Sequence, residues 1–156
     1  MPSSVTKAAK IISVTNQKGG VGKTTTTINL AAALSQLKKK VLIIDLDPQG
    51  NASTGLGVEV EDRELSTYEF LVEGAPLEKV AMETEISGLS IVPATIDLSS
   101  ADIDLISNEK RSHLLHEALR KKQENKKKYD FILIDCPPSL NILTVNAMVA
   151  SHSVLI

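Results

Sequence analysis

The chain has 156 residues, of which 42% are apolar and 23% charged, and its formal net charge is −2. That is enough for one globular domain with a sizeable core, and it excludes a chain that is basic throughout. A single cysteine, Cys136, excludes an intrachain disulfide and fits a reducing cytoplasm, while 3% aromatic content without tryptophan argues against a base-stacking platform for single-stranded nucleic acid.

Residues 1–10 are polar, lack the apolar stretch of a signal peptide and are expected to fray. Residues 11–156 are expected to form one domain, with no apolar run of membrane-spanning length. The run 11–14, Ile-Ile-Ser-Val, reads as a buried strand, and residues 28–34 read as a helix ending near 36–40. There Lys38, Lys39 and Lys40 suit the negative end of the helix dipole. Between strand and helix stands Gln17-Lys18-Gly19-Gly20-Val21-Gly22-Lys23-Thr24-Thr25. The three glycines allow backbone N–H groups to turn inward on an anion. The helix N-terminus adds positive charge, Lys23 supplies a full charge for outer phosphates, and the Thr24 hydroxyl is placed for Mg²⁺. Gln17 stands where the generic pattern has glycine. Lys18 is either an exposed cation beside the loop or one aimed at phosphate across a dimer, as arginine fingers act.

The run 41–44, Val-Leu-Ile-Ile, is apolar throughout, as a strand covered on both faces should be. It ends in Asp45-Leu46-Asp47-Pro48-Gln49-Gly50-Asn51, and a loop is expected to about Gly57. Two carboxylates at the C-terminal end of a parallel strand sit where open α/β sheets bind ligands. A helix is expected over 64–73, a short strand over 80–82 and a better one over 89–92, closed by Pro93. Residues 111–124 read as a helix with Leu114, Leu115, Ala118 and Leu119 on its apolar stripe. His113 and His116 lack a third ligand and read as solvated. Lys121, Lys122, Lys126, Lys127 and Lys128 read as a second solvated helix end. The run 129–135 is a third apolar strand ending in a carboxylate, Asp135, which can hold Mg²⁺ beside the glycine-rich loop. Residues 136–139 form a turn, 139–150 a helix and 153–156 the start of another strand. The fold expected is α/β, a mainly parallel, doubly wound sheet with helices on both faces.

The stretch Lys-Gly-Gly-Val-Gly-Lys-Thr-Thr resembles the deviant Walker A box of the ParA/MinD superfamily of P-loop ATPases. Asp-Leu-Asp-Pro-Gln-Gly-Asn is close to the second box of its ParA branch, whose Pro-Gln-Gly-Asn portion MinD proteins usually lack. The strand ending at Asp135 stands as the Walker B element. The resemblance runs from residue 11 to 156. It implies ATP and Mg²⁺, with nucleotide contacts at Lys18, Gly19, Gly20, Val21, Gly22, Lys23, Thr24 and Thr25. It implies metal contacts at Thr24 and Asp135, with Asp45 near the metal and its waters. Asp47 would activate the attacking water, and Lys18 would act across an ATP-sandwich homodimer. A slow, partner-stimulated ATPase in the bacterial cytoplasm, associated with the nucleoid, is therefore expected. It would bind DNA non-specifically and move chromosome or plasmid with a ParB-type partner, without stable membrane insertion. A MinD-like membrane-cycling ATPase is the alternative. A nitrogenase iron-protein relative would need cluster cysteines that this chain lacks. Proteins of the resembled family are longer, so an N-terminal portion is expected. Its main DNA-contacting residues and much of the adenine pocket would then lie beyond Ile156, and residues 1–156 alone would be a poor DNA binder.

Overall fold

A computed structural model describes residues 9–15, 22–125 and 128–156, with backbone only over 121–125. The strands are β1 (Lys10–Val14), β2 (Val41–Asp45), β3 (Met82–Glu83), β4 (Leu89–Val92), β5 (Phe131–Asp135) and β6 (Ser153–Leu155). They form one sheet in the order β3-β4-β2-β5-β1-β6, parallel throughout except for β3, which runs antiparallel on β4. The helices are α1 (Lys23–Gln36), α2 (Asn51–Gly55), α3 (Thr67–Val72), α4 (Leu77–Val80), α5 (Ala101–Asp104), α6 (Leu114–Asn125) and α7 (Ile142–Ala150).

Alternation along the central strands divides the core in two. Leu42, Ile44, Ile132 and Ile134 pack with Phe70 of α3, Leu115 and Leu119 of α6, and Leu143 and Ala147 of α7. Val41, Ile43 and Leu133, with Leu89 and Ile91 of β4, pack with Ala31 of α1 and Ala52 of α2. A strand covered on both faces has no polar side to offer, which is why all five residues of β2 are buried. Truncating any one of Ile43, Ile44 or Leu133, all fully buried beneath the strand ends, to alanine would cost about 2–5 kcal/mol. In register, Val14 and Asp45 both stand opposite Asp135, which brings the ends of β1, β2 and β5 level.

Several boundaries differ from the sequence expectation. The loop after Asp47 contains the short helix α2, which starts after Gly50 in a left-handed conformation (φ 67). The helix expected over 64–73 begins only at Thr67 because Ser66 caps it. The Ser66 side chain accepts from Tyr68 N, while Glu69 Oε1 accepts from Ser66 N at 2.8 Å, a reciprocal capping box. Residues 77–80 turn as helix α4 after Pro76, leaving Met82–Glu83 as the strand. The last helix starts at Ile142 rather than 139, since Asn141 Oδ1 accepts from Leu143 N and Thr144 N. Asn146, fully buried in α7, accepts from Leu115 N and donates to Arg111 O, so it joins α7 to the start of α6 with its hydrogen bonds satisfied.

The residues that lead into β2 and β5 meet at the opposite ends of these strands from the carboxylates. Asp130 N donates to Lys40 O at 2.7 Å, and Lys40 N donates to Asp130 Oδ2 at 2.8 Å. There α1 ends in a Schellman pattern. Lys38 N bonds Ser35 O and Lys39 N bonds Leu34 O, with Lys38 left-handed at φ 66. A glycine takes that conformation without Cβ strain. Lys38→Gly is therefore expected to stabilise the protein by about 0.5–1 kcal/mol, read as a higher urea midpoint with unchanged slope.

Candidate phosphate and metal site at the strand ends

The site is built where α1 meets the end of β5. Gly22 is left-handed (φ 80) and turns the chain into α1, whose N-terminus has no side-chain cap. The N–H groups of its first turn are thus open to an anion, and the helix dipole adds positive charge there. Three side chains from this end of α1 converge on the fully buried carboxylate of Asp135. Lys23 Nζ donates to Oδ1 at 2.6 Å, Thr24 Oγ1 to Oδ2 at 2.9 Å, and Thr27 Oγ1 to Oδ1 at 3.3 Å. Lys23–Asp135 is an almost fully buried ion pair. The Thr24 hydroxyl and the Asp135 carboxylate are hard oxygen donors beside one another, the chemistry that Mg²⁺ takes.

One strand over, β2 delivers Asp45, also fully buried. Its Oδ1 accepts from Asp47 N at 3.1 Å, and its Oδ2 accepts from Ser53 N at 3.0 Å and Ser53 Oγ at 2.7 Å. Burial pushes its carboxyl up to about 7; the Ser53 hydrogen bonds oppose that rise and the neighbouring Asp135 charge adds to it. Asp47 is 5% exposed. Its Oδ1 accepts from Gln49 N at 3.0 Å and its carbonyl from Gly50 N at 2.8 Å, which tightens the turn at Pro48. Thr67, the first residue of α3, donates from Oγ1 to Asp45 O at 2.7 Å and Pro93 O at 2.9 Å, tying the ends of β2 and β4 together.

Of the residues singled out in the sequence, Gly22, Lys23, Thr24, Thr25 and Asp135 stand at the end of β5 and the start of α1, with Asp45 and Asp47 at the end of β2. Lys18, Gly19, Gly20 and Val21 lie outside the described residues. Thr27, Ser53, Arg63 and Thr67 take part in the surrounding hydrogen bonds but were not anticipated. Thr27 had a signal, three residues after Thr24 on one helix face. Arg63 had none, since a lone arginine between Asp62 and Glu64 reads as surface. No group of three or more His, Cys, Asp or Glu capable of holding a metal occurs among the described residues, which includes His113 and His116. Cys136 is buried, its thiol pushed up to about 12 by burial and then by Asp135, the setting of a packed residue. No described helix is long and apolar enough to cross a membrane.

A largely parallel sheet whose first helix starts Gly-Lys-Thr over a strand-end aspartate defines a P-loop nucleoside triphosphatase fold. Residues 9–156 match the family model described as an AAA domain, and the chain belongs to that family. It is similar to the sporulation initiation inhibitor protein Soj of Bacillus subtilis, 50% identical over 94% of this chain and 57% of that protein. It is also similar to the chromosome partitioning protein ParA of Caulobacter vibrioides, 48% identical over 94% of this chain and 55% of that protein. Among solved structures it superposes on cobyrinic acid a,c-diamide synthase of Mycobacterium smegmatis, bound to ADP and magnesium. That match has a TM-score of 0.87 and 38% identity over 94% of this chain and 58% of that one. The chain thus spans a little over half the length of the proteins it resembles.

Proposed function

We propose that the protein binds ATP with Mg²⁺ and hydrolyses it slowly, as a dimer switch that partitions chromosome or plasmid DNA. The observation that carries this reading is the convergence of Lys23, Thr24 and Thr27 on Asp135 beneath the uncapped start of α1. Amides of that first turn, with Lys23, would take the phosphates, together with Lys18, Gly19, Gly20, Val21, Gly22 and Thr25 from the loop. Lys23 would exchange its partner Asp135 for phosphate oxygens, freeing that carboxylate. Mg²⁺ would then be held by Thr24 and Asp135, with Asp45 behind them, and would neutralise charge on the phosphates. Asp47 would orient the attacking water, and Lys18 would reach the partner's nucleotide in the dimer.

The ParA name among the relatives supports partition as the role, and with it a ParB-type partner and non-specific DNA as ligands. The cytoplasm, on the nucleoid, follows from that role. The strand β1 begins at Lys10 and the family match at residue 9, so the ATPase domain would begin there rather than at residue 11, and the main DNA surface would lie beyond Ile156. The synthase match is lower in identity than the Soj and ParA matches, so it supports the fold and the nucleotide chemistry more than an amide-forming reaction. A MinD-like membrane cycle is the lesser reading, since Asp47-Pro48-Gln49-Gly50-Asn51 follows the ParA form.

Dimerisation of the full-length protein tests the switch. Wild type should associate on adding ATP and Mg²⁺ in analytical ultracentrifugation, and Lys18→Ala should remain monomeric with lost turnover. A Lys18→Ala protein that dimerises and turns over normally would return Lys18 to an ordinary surface residue.

A further inference from the structure

The loop that carries Asp47 is fastened to the end of β4 through both groups of a single residue. Ala94 N donates to Ser53 Oγ at 3.0 Å, and Ala94 O accepts from Arg63 Nη1 at 3.0 Å. Ser53 Oγ in turn donates to Asp45 Oδ2 at 2.7 Å, and Asp45 Oδ1 accepts from Asp47 N at 3.1 Å. An unbroken line of hydrogen bonds therefore runs from β4 to the backbone of Asp47. Every member is buried: Ala94, Ser53 and Asp45 at 0%, Asp47 at 5% and Arg63 at 7% exposure.

Arg63 is the unusual member. Its guanidinium makes no ion pair among the described residues. Nε and Nη2 donate to Val58 O at 3.2 and 2.6 Å, and Nη2 donates to Thr54 Oγ1 at 3.0 Å. Burying a cation without a counter-charge is costly, and the planar fork offsets that by joining acceptors from two segments in fixed geometry. Space is matched as closely as charge. A Cβ at Gly50 would lie 2.5 Å from Arg63 Nη1 and 3.2 Å from Ala94 O. The guanidinium thus seats against the bare backbone three residues beyond Asp47.

We infer that Ser53 and Arg63 are positioning residues for hydrolysis: they hold the Asp47 turn in place from outside the phosphate site. A displacement of about 1 Å can cost a water-orienting group about 100-fold in rate, and Ser53 and Arg63 tie this turn to Ala94 while Thr67 fastens the strand end before it. The inference rests on the reading of Asp47 as the group that orients water.

Full-length Ser53→Ala, Ser53→Thr, Arg63→Lys and Asp47→Ala proteins would be compared for ATP affinity with a fluorescent analogue, for kcat and KM, and for melting midpoint. Turnover would be measured at a temperature where circular dichroism shows each protein folded. Ser53→Ala and Arg63→Lys should lose about 10–100-fold in kcat, with nucleotide affinity within about threefold of wild type. Ser53→Thr, which keeps the hydroxyl, should recover most of the loss. Arg63→Lys keeps the charge without the fork and decides the matter if Ser53→Ala does not fold. Lower midpoints with undiminished kcat would overturn the inference, as would failure of Ser53→Thr to recover turnover. If Asp47→Ala itself turns over normally, the reading of Asp47 falls and this inference with it. An inactive Asp47→Ala beside fully active Ser53→Ala and Arg63→Lys overturns the inference alone.

Discussion

Full-length Asp47→Ala is expected to bind ATP nearly as wild type does and to hydrolyse it about 10²–10⁴-fold more slowly. The side chain stands at the end of β2, beyond Asp45, and its one resolved hydrogen bond is to Gln49 N in its own turn. It makes none with Lys23, Thr24 or Asp135, where phosphate and metal would bind. Removing it should spare those contacts and abolish the orientation of water. ATP-bound dimers would then accumulate, visible as a persistent dimer after ATP addition where wild type returns to monomer. Loss of that one turn bond costs about 1 kcal/mol, too little to unfold the domain. If Asp47→Ala fails to bind nucleotide, the residue belongs to the metal or to the structure of the loop.

Lys23→Ala should show two separable losses. Charge-assisted hydrogen bonds to phosphate contribute about 1.5–3 kcal/mol, so ATP affinity should fall at least 10-fold. A fluorescent ATP analogue titrated into full-length protein measures this, and equal affinity in both proteins would remove Lys23 from the phosphate site. The second loss is in stability. Lys23 is the partner of a carboxylate with no solvent exposure, and deleting one member of a buried pair costs about 3–5 kcal/mol. Asp135 would be left to the hydroxyls of Thr24 and Thr27, beside the buried Asp45. Removing both partners, as in Lys23→Ala with Asp135→Ala, should cost less than the sum of the two single changes, since no unpaired buried charge remains. Urea melts of the four proteins provide that cycle, and additive losses would show that the pair contributes nothing to folding.

Much of the architecture was legible in the chain because its signals are local. Continuous apolar runs at 41–44 and 129–135 have no solvent face, and only a sheet covered on both sides accommodates them. Gly22-Lys23-Thr24 between a strand and a helix specifies a loop on a helix N-terminus by backbone conformation and dipole alone. Carboxylates that end such strands, Asp45 and Asp135, stand out as candidate site residues from the sequence alone. Local signals also misled. A lone strand-like stretch at 80–82 and a helix drawn from 64 ignored the capping box at Ser66 and Glu69, although its spacing was present in the sequence.

What the tertiary structure alone decided is who meets whom. Register sets Asp45 opposite Asp135, and burial rather than sequence raises the Asp45 carboxyl. Arg63 shows the limit most clearly. Among charged neighbours it reads as a solvated side chain, yet it is buried because the turn at Gly50 leaves a space without a Cβ and the carbonyls of Val58 and Ala94 converge there. Hydrogen bonds between residues 31 positions apart leave no periodic trace in a sequence. The chain by itself determined the class of chemistry, through residue types at fixed local spacing. Only the packed sheet decided which side chains meet those carboxylates, because that depends on distances the backbone sets when it folds.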